Sequence, residues 1–395
     1  MTFQDLGLEP MLLKAVTEMG FENPTPIQEQ TIPQLKDKST DMVALAQTGT
    51  GKTAAFGLPL LQKLDLNSRF TQSLILAPTR ELCVQISKDL INYSKFLNGL
   101  RVTAVYGGAP IMAQIRDIKA GSQVIVATPG RLIDLIERKA IDLSHVDVVV
   151  LDEADEMLNM GFKDDLDQIL SNTPPTKNTW LFSATMPGRI RDLARKILTN
   201  PSEINISISK PPEKIKQEAY VVYDSQKNEL IKYLLKSADF QSVLIFCSKK
   251  HTVKELNREL KRAGFSIEEI HSDLEQSKRE EVLSAFINGR LKILVATDIL
   301  SRGIDIDNID LVINYEVPND GEDYVHRIGR TARAQSDGTA YTLVNEKEQG
   351  KFLAIEQLLG YAVPKSKVPD SFGETPAYDP SVRKNGFKRK FKQRR

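Results

Sequence analysis

Three groups of residues have the types and spacing for chemistry on a phosphorylated substrate. The first is Ala46-Gln47-Thr48-Gly49-Thr50-Gly51-Lys52-Thr53. Gly49 and Gly51 let the backbone curl so that several N–H groups converge on one anion. Lys52 adds a full charge for β- and γ-phosphates, and Thr53 a hydroxyl for Mg²⁺. This is the pattern of a phosphate loop, with Ala46 in place of the usual first glycine. The second group is Asp152-Glu153. A carboxylate at 152 suits Mg²⁺, directly or through water, opposite Thr53. Glu153 is placed to orient and deprotonate an attacking water. The third is His326-Arg327-Ile328-Gly329-Arg330. Arginines three apart lie on one face of a helical turn, which predicts that Arg327 and Arg330 both aim at a γ-phosphate and stabilise charge developing in the transition state. Together the three groups describe hydrolysis of a nucleoside triphosphate.

The elements that must position these residues are legible as apolar runs. Met42 to Leu45 reads as a buried parallel strand before the loop, and Ala54-Ala55-Phe56 continues as a helix after it. The start of that helix adds partial positive charge at the anion position. The rhythm then repeats. Ser73–Ala77 is followed by Pro78-Thr79-Arg80-Glu81, Val102–Tyr106 by Gly107-Gly108, and Val124–Ala127 by Thr128-Pro129-Gly130-Arg131. Asp147–Leu151 is followed by Asp152-Glu153-Ala154-Asp155, and Thr179–Phe182 by Ser183-Ala184-Thr185. Helical patterns lie between these runs, which predicts a parallel sheet. In such sheets ligands sit at the carboxyl ends of the strands, and every polar cluster falls there. Ahead of the loop, two prolines in Phe21-Glu22-Asn23-Pro24-Thr25-Pro26-Ile27-Gln28 fix an extended turn. The Gln28 amide can pair with N6 and N7 of adenine, and Phe21 can stack on the purine.

The rhythm restarts after Ser207–Lys216, a stretch with two prolines, three lysines and no clear period, read as a linker. Val243–Cys247, Ile267–Ile270, Lys292–Ala296, Asp310–Asn314 and Ala340–Val344 predict a second α/β domain without its own phosphate loop. Nucleotide is then expected between the two domains. The expected boundaries are 1–206, a linker at 207–216, 217–362, and a flexible basic tail at 363–395.

Charge balance hides an asymmetry. The chain of 395 residues has 53 basic and 52 acidic side chains, yet 383–395 alone carries eight Lys or Arg and no acid. The other 382 residues therefore hold 45 basic and 52 acidic side chains, a net of −7. Such a segment either solubilises the protein or tethers RNA, with Phe387 and Phe391 available for stacking on bases. Cys83 and Cys247 lie in apolar runs and read as buried hydrophobes of a reducing compartment. Neither a signal peptide nor an 18-residue apolar stretch is present, so a soluble cytoplasmic protein without membrane partners is expected.

In order, the Gln28 element, Ala46–Thr53, Pro78–Glu81, Thr128–Arg131, Asp152–Asp155 and Ser183–Thr185 resemble the motif set of the DEAD-box RNA helicases. Ala296-Thr297-Asp298 with Arg302–Asp305, and Tyr324–Arg333, resemble that family's motifs V and VI, and the layout is closest to its bacterial RhlE-like branch. Cys83, Ser272 and Ala332 replace commoner small residues. The resemblance implies an α/β fold of two tandem RecA-like domains, each a mostly parallel sheet flanked by helices. It implies ATP and Mg²⁺ as cofactors, and RNA-stimulated ATP hydrolysis coupled to local duplex unwinding or RNP remodelling. The alternative is an ATP-gated RNA clamp or annealing factor. Nucleotide contacts are implied at Phe21, Thr25, Gln28, Ala46, Gln47, Thr48, Gly49, Thr50, Gly51, Lys52, Thr53, Gly303, Asp305, Arg327 and Arg330, with Asp305 on the ribose. RNA contacts are implied at Pro78, Thr79, Arg80, Gly107, Gly108, Thr128, Pro129, Arg131, Ser248, Gln276, Arg279 and Thr297. Coupling between the two sites is implied for Asp155, Ser183, Thr185 and His326. RNA of weak sequence preference is the expected partner, with ribosome-assembly or RNA-degradation complexes beyond it and a monomeric state.

Overall fold

The computed structural model describes residues 1–380 except 38–39, 48, 207–214, 299–308, 320 and 332–337, and 381–395 also lie outside the described residues. The chain separates into two compact units on either side of 207–214. The strands of the first are β1 (Met42–Leu45), β2 (Ser73–Leu76), β3 (Val102–Val105), β4 (Val124–Ala127), β5 (Val148–Leu151), β6 (Asn178–Ser183) and β7 (Ser202–Asn205). They form one sheet in the order β3-β4-β2-β5-β6-β1-β7, every neighbouring pair parallel.

Alternation along the strands fills two layers. Met42, Ala44, Ile75, Val148 and Val150 face one cluster of buried side chains, with Trp180 and Phe182. Val43, Leu74, Leu76, Val149 and Leu151 face the other. Covering both faces explains why these strands read as unbroken apolar runs. Each fully buried aliphatic side chain contributes about 1.5–3 kcal/mol, so the two layers together pin the register.

That register sets the site. The chain leaves β1, passes β6 and β5, and re-enters the sheet at β2. Parallel pairing of Leu45 with Ser183, Leu151 with Leu181, and Leu76 with Leu151 brings the carboxyl ends of β1, β6, β5 and β2 to one edge. The order of strands reverses there, the place where open α/β sheets bind ligands.

The second unit contains β8 (Ile215–Val221), β9 (Val243–Phe246), β10 (Ile267–Ile270), β11 (Ile293–Ala296), β12 (Leu311–Asn314) and β13 (Gly338–Val344). Their order is β10-β11-β9-β12-β13-β8, again with all pairs parallel. Cys83 and Cys247 are buried free thiols, and burial pushes the Cys83 thiol up to about 12. Among the described residues, no helix is long and apolar enough to cross a membrane.

Two segments differ from the sequence expectation. β8 starts at Ile215, inside the stretch read as linker, because its alternating burial gives only every second residue an apolar environment at first. Residues 363–380, expected to begin a flexible tail, lie on the second unit: Val363 is buried in its core, and Lys365 bridges to Ala219 of β8.

Candidate nucleotide and RNA site

From Leu45 the chain turns through 46–51 into the helix Lys52–Gln62. Gly49 and Gly51 both have left-handed backbones, at φ 76° and 87°. At Gly51 the space is closed as well, since a Cβ would lie 2.3 Å from Gln28 Nε2. Gln28 is buried and donates from Nε2 to the Gly51 carbonyl at 3.1 Å, while its Oε1 accepts the Thr25 N–H at 3.0 Å. The Pro-Thr-Pro turn is thereby fastened to the phosphate loop. This amide was expected to face adenine with both groups. One N–H and one lone pair are left for that purpose. Thr50 Oγ1 closes the loop on the Gln47 carbonyl at 2.7 Å. Lys52, 6% exposed, folds back so that Nζ donates to the Ala46 carbonyl at 3.1 Å. Phe21 is half-buried, with its ring 6.0 Å from Phe3 and 6.3 Å from Tyr93. Thr48 lies outside the described residues.

Beside the loop, β5 delivers Asp152 and Glu153, 3% and 4% exposed. Glu153 starts the helix Ala154–Asn159 with φ 51°, ψ 50°, left-handed for a residue with a Cβ. Such a conformation costs on the order of 1–3 kcal/mol and persists where the surroundings over-determine it. Asp152 Oδ1 accepts the Glu153 N–H at 3.0 Å. Burial raises the Asp152 carboxyl above its usual range, opposed by the Lys52 charge and by that hydrogen bond.

Asp155 joins β5 to β6. Its Oδ2 accepts both the N–H and the hydroxyl of Thr185 at 3.1 Å, and its Oδ1 accepts the Glu156 N–H at 3.1 Å. Ser183 Oγ lies 3.4 Å from the Thr185 nitrogen and accepts from it. The structure therefore brings Asp155, Ser183 and Thr185 into one buried network beside Glu153.

Further along the same edge lie the residues expected to meet RNA. Thr79 caps the helix Arg80–Tyr93, its Oγ1 accepting the Leu82 N–H at 3.2 Å. Thr128 precedes the helix Pro129–Glu137, whose first residue is the expected Pro129. Arg131 Nη1 donates to the Ala109 carbonyl at 3.1 Å and to Gln114 Oε1 at 2.9 Å, which fixes the loop holding Gly107 and Gly108. A Cβ on Gly107 would lie 3.3 Å from Arg80 Nη2. Burial holds the Arg131 pKa below its usual value, with Asp134 opposing and Arg80 adding to the effect.

In the second unit, Ser248 follows β9 and donates its N–H to Glu316 Oε2 at 2.9 Å. Burial raises the Glu316 carboxyl. Gln276 and Arg279 are buried on the first turn of the helix Gln276–Ile287, and Gln276 Nε2 donates to Glu280 Oε1 at 3.0 Å. Thr297 follows β11. Gly303 and Asp305 fall outside the described residues.

Arg327 and Arg330 stand at the end of the helix Gly321–Ile328, and the Arg330 N–H donates to the Arg327 carbonyl at 3.2 Å, so the turn carries on to Arg330. Arg327 is 1% exposed. Nε donates to Asp298 Oδ1 at 2.7 Å, Nη2 lies 2.6 Å from the same oxygen, and Nη1 donates to Asn314 Oδ1 at 3.2 Å. Its guanidinium also sits 5.3 Å from the Phe246 ring centroid. Arg330 and His326 are buried, at 5% and 6% exposure. Sequence reasoning gave Asp298 and Asn314 no role. The available signal was a polar Asn314 closing the apolar strand Leu311–Asn314, which marks a strand end that meets a polar partner.

A phosphate loop on one parallel sheet, followed by a second parallel α/β unit, defines the tandem RecA-like class of P-loop proteins. The chain belongs to the DEAD/DEAH box helicase family, whose description matches residues 25–193, followed by a helicase conserved C-terminal domain at 226–335. It is 45% identical over 358 residues to the ATP-dependent RNA helicase CshA of Listeria monocytogenes, covering 90% of this chain and 68% of that protein. It is 42% identical over 372 residues to the ATP-dependent RNA helicase DeaD of Escherichia coli K12, covering 94% and 59%. Neither carries the RhlE name. Across curated relatives of these two names the chain spans 58–68% of their length. The structure of Saccharomyces cerevisiae Dbp5 bound to RNA and ADP BeF3 superposes with a TM-score of 0.86 at 32% identity, covering 94% of this chain and 96% of that one. Mss116p bound to ssRNA and AMP-PNP gives 0.82 at 30% identity, covering 94% and 80%.

Proposed function

We propose that this chain hydrolyses ATP in an RNA-dependent manner and uses the cycle to open short RNA duplexes or remodel RNA–protein complexes. The observation that carries this reading is the buried Asp152–Glu153 pair beside a glycine-turned loop, with Asp155 binding Thr185 in the same cluster.

Each residue has a part. The N–H groups of 46–53 and the Lys52 ammonium bind the phosphates. Lys52 needs only to exchange the Ala46 carbonyl for a phosphate oxygen. Phe21, Thr25 and the free half of the Gln28 amide hold the adenine, and Asp305 the ribose. Glu153 accepts the proton of the attacking water. The oxygens of Thr53 and Asp152 suit a hard cation that keeps phosphate and water in its shell. When bound there, Mg²⁺ would neutralise phosphate charge. Arg330 stabilises transition-state charge from the second unit, and Arg327 acts through Asp298 and Asn314 as a positioning residue.

RNA phosphates and sugars meet Arg80, the Gly107-Gly108 loop, Thr128, Arg131, Ser248, Gln276, Arg279 and Thr297, contacts that carry little sequence information. Asp155, Ser183, Thr185 and His326 relay occupancy between the sites. The basic segment 383–395 tethers RNA to an otherwise acidic protein. The protein acts as a cytoplasmic monomer, with ribosome-assembly or RNA-degradation complexes as its setting.

The test is release of a labelled strand from a short RNA duplex with ATP, against the same mixture without nucleotide. Release that requires ATP supports the reading. Tight ATP-dependent RNA binding without release points instead to the ATP-gated clamp.

A further inference from the structure

Residues 363–380 are built onto the second unit by side chains far away in the sequence. Val363 is 1% exposed. The Ala219 N–H donates to the Pro364 carbonyl at 2.8 Å, and the Ser366 N–H to the Ala219 carbonyl at 2.9 Å, which adds a short parallel pairing to the outer side of β8. Glu356, 7% exposed, gathers three donors from this segment: the Val363 N–H at 2.7 Å, the Lys365 ammonium, and the Tyr378 hydroxyl at 2.7 Å. Gln226 Nε2 then holds the Phe372 and Glu374 carbonyls at 2.9 and 3.0 Å. Gln349 closes the path with both ends of its amide, donating to the Ala377 carbonyl at 2.8 Å and accepting the Asp379 N–H at 2.7 Å.

The last anchor has a defined place. Gln349 opens the helix that follows β13, so it sits at the carboxyl edge of the second sheet. Its neighbour Glu348 lies 3.5 Å from Lys227 Nζ, and both charges act on Glu316, which holds the Ser248 N–H. The end of the strap is thus held at the same carboxyl edge of the parallel sheet that carries Ser248 and Thr297. A segment needed only to cover β8 would end at Ser366. This one continues to a fixed point at that edge, where the eight-cation segment 383–395 follows.

We propose that residues 363–380 are a positioning strap that fixes the departure point of the basic segment at the carboxyl edge of the second sheet, so that the segment serves RNA held by that unit. This rests on the reading of 383–395 as an RNA tether. With the strap seated, 15 residues follow its end; with the anchors beyond Ser366 lost, 29 follow Ser366. Effective concentration falls roughly as the −3/2 power of tether length, so release lowers it about threefold.

The experiment is the RNA concentration for half-maximal ATPase, measured on the full chain, on Gln226→Ala/Gln349→Ala/Tyr378→Ala, on a chain with 14 Gly/Ser residues inserted after Pro380, and on a chain ending at Pro380. The triple variant is also made in the shortened chain. Neither the three substitutions nor the insertion touches a residue assigned to ATP or RNA, and truncation removes only the segment read as the tether. Truncation is expected to raise half-saturation most. Release and insertion should each raise it about threefold, with turnover at saturating RNA unchanged, and release should do nothing in the shortened chain. If truncation raises half-saturation but insertion does not, the departure point is irrelevant and the strap proposal fails alone. The same holds if release acts equally in the shortened chain. If truncation changes nothing, the tether reading fails and the strap proposal with it.

Discussion

The two units share a sheet plan, six or seven parallel strands with polar clusters at one edge, yet that edge is equipped differently. In the first unit it holds a glycine-turned loop, a buried lysine resting on a carbonyl, and three buried carboxylates at 152, 153 and 155. In the second, Arg327 is already bound to Asp298 and Asn314. One edge is prepared to receive an anion and the other is internally compensated. On the proposed reading, the first edge takes phosphate because its strand–helix turn contains glycines and it gathers a lysine beside carboxylates that suit a cation.

The comparison breaks most sharply at Glu153. Glu153→Gln keeps size and hydrogen bonding and removes the base, so turnover should fall about 10²–10⁴-fold with ATP and RNA binding retained. Near-normal turnover would remove Glu153 from the chemistry.

Arginine substitutions sharpen the contrast within the second unit. Arg330→Ala should lower turnover about 10²–10³-fold, as removal of a transition-state donor does, with ATP binding retained. Arg327→Ala instead leaves the Asn314 oxygen, fully buried, without its donor. A stability loss of about 1–3 kcal/mol is expected, read as a lowered thermal midpoint. Undiminished turnover in Arg330→Ala, or an unchanged melting temperature in Arg327→Ala, would contradict these roles.

The bridge between β5 and β6 is tested at the level of one hydroxyl. Thr185→Val removes one hydroxyl donor to the Asp155 carboxylate and leaves its backbone donor in place. The cost should be about 1.5–3 kcal/mol. If the network couples the sites, RNA should stimulate ATPase less in this variant while RNA-free turnover stays put. Lowered RNA-free turnover with unchanged stimulation would make it a structural bond only.

The smallest expected effect is electrostatic. If about half of the eight basic residues at 383–395 meet phosphates, the salt slope of single-stranded RNA binding should lose roughly three units on truncation after Pro380. Fluorescence titration at several salt concentrations reads this directly, and identical slopes would leave the segment as a solubiliser.

Much of this was legible in the sequence because the central strands are buried on both faces. Met42–Leu45 and Val124–Ala127 have the boundaries their apolar runs predict, and each ends at its polar cluster. The edge strand Ser202–Asn205 was not legible: it buries a single residue fully, so no apolar run marks it. The strap was hidden for another reason. Its composition is that of a linker, and its order comes from Gln226, Gln349 and Glu356, which nothing local announces. The partners of Arg327, Asp298 and Asn314, were hidden because they come from other strand ends, 29 and 13 residues away.

The central claim is that RNA switches on ATP hydrolysis at the Lys52–Glu153 site. The direct measurement is phosphate release from ATP by the full chain with no nucleic acid, with single-stranded RNA, and with DNA of the same sequence. Stimulation by RNA well beyond that by DNA is predicted, through contacts to 2′-hydroxyls. Equal rates in all three, or equal stimulation by DNA and RNA, would contradict it.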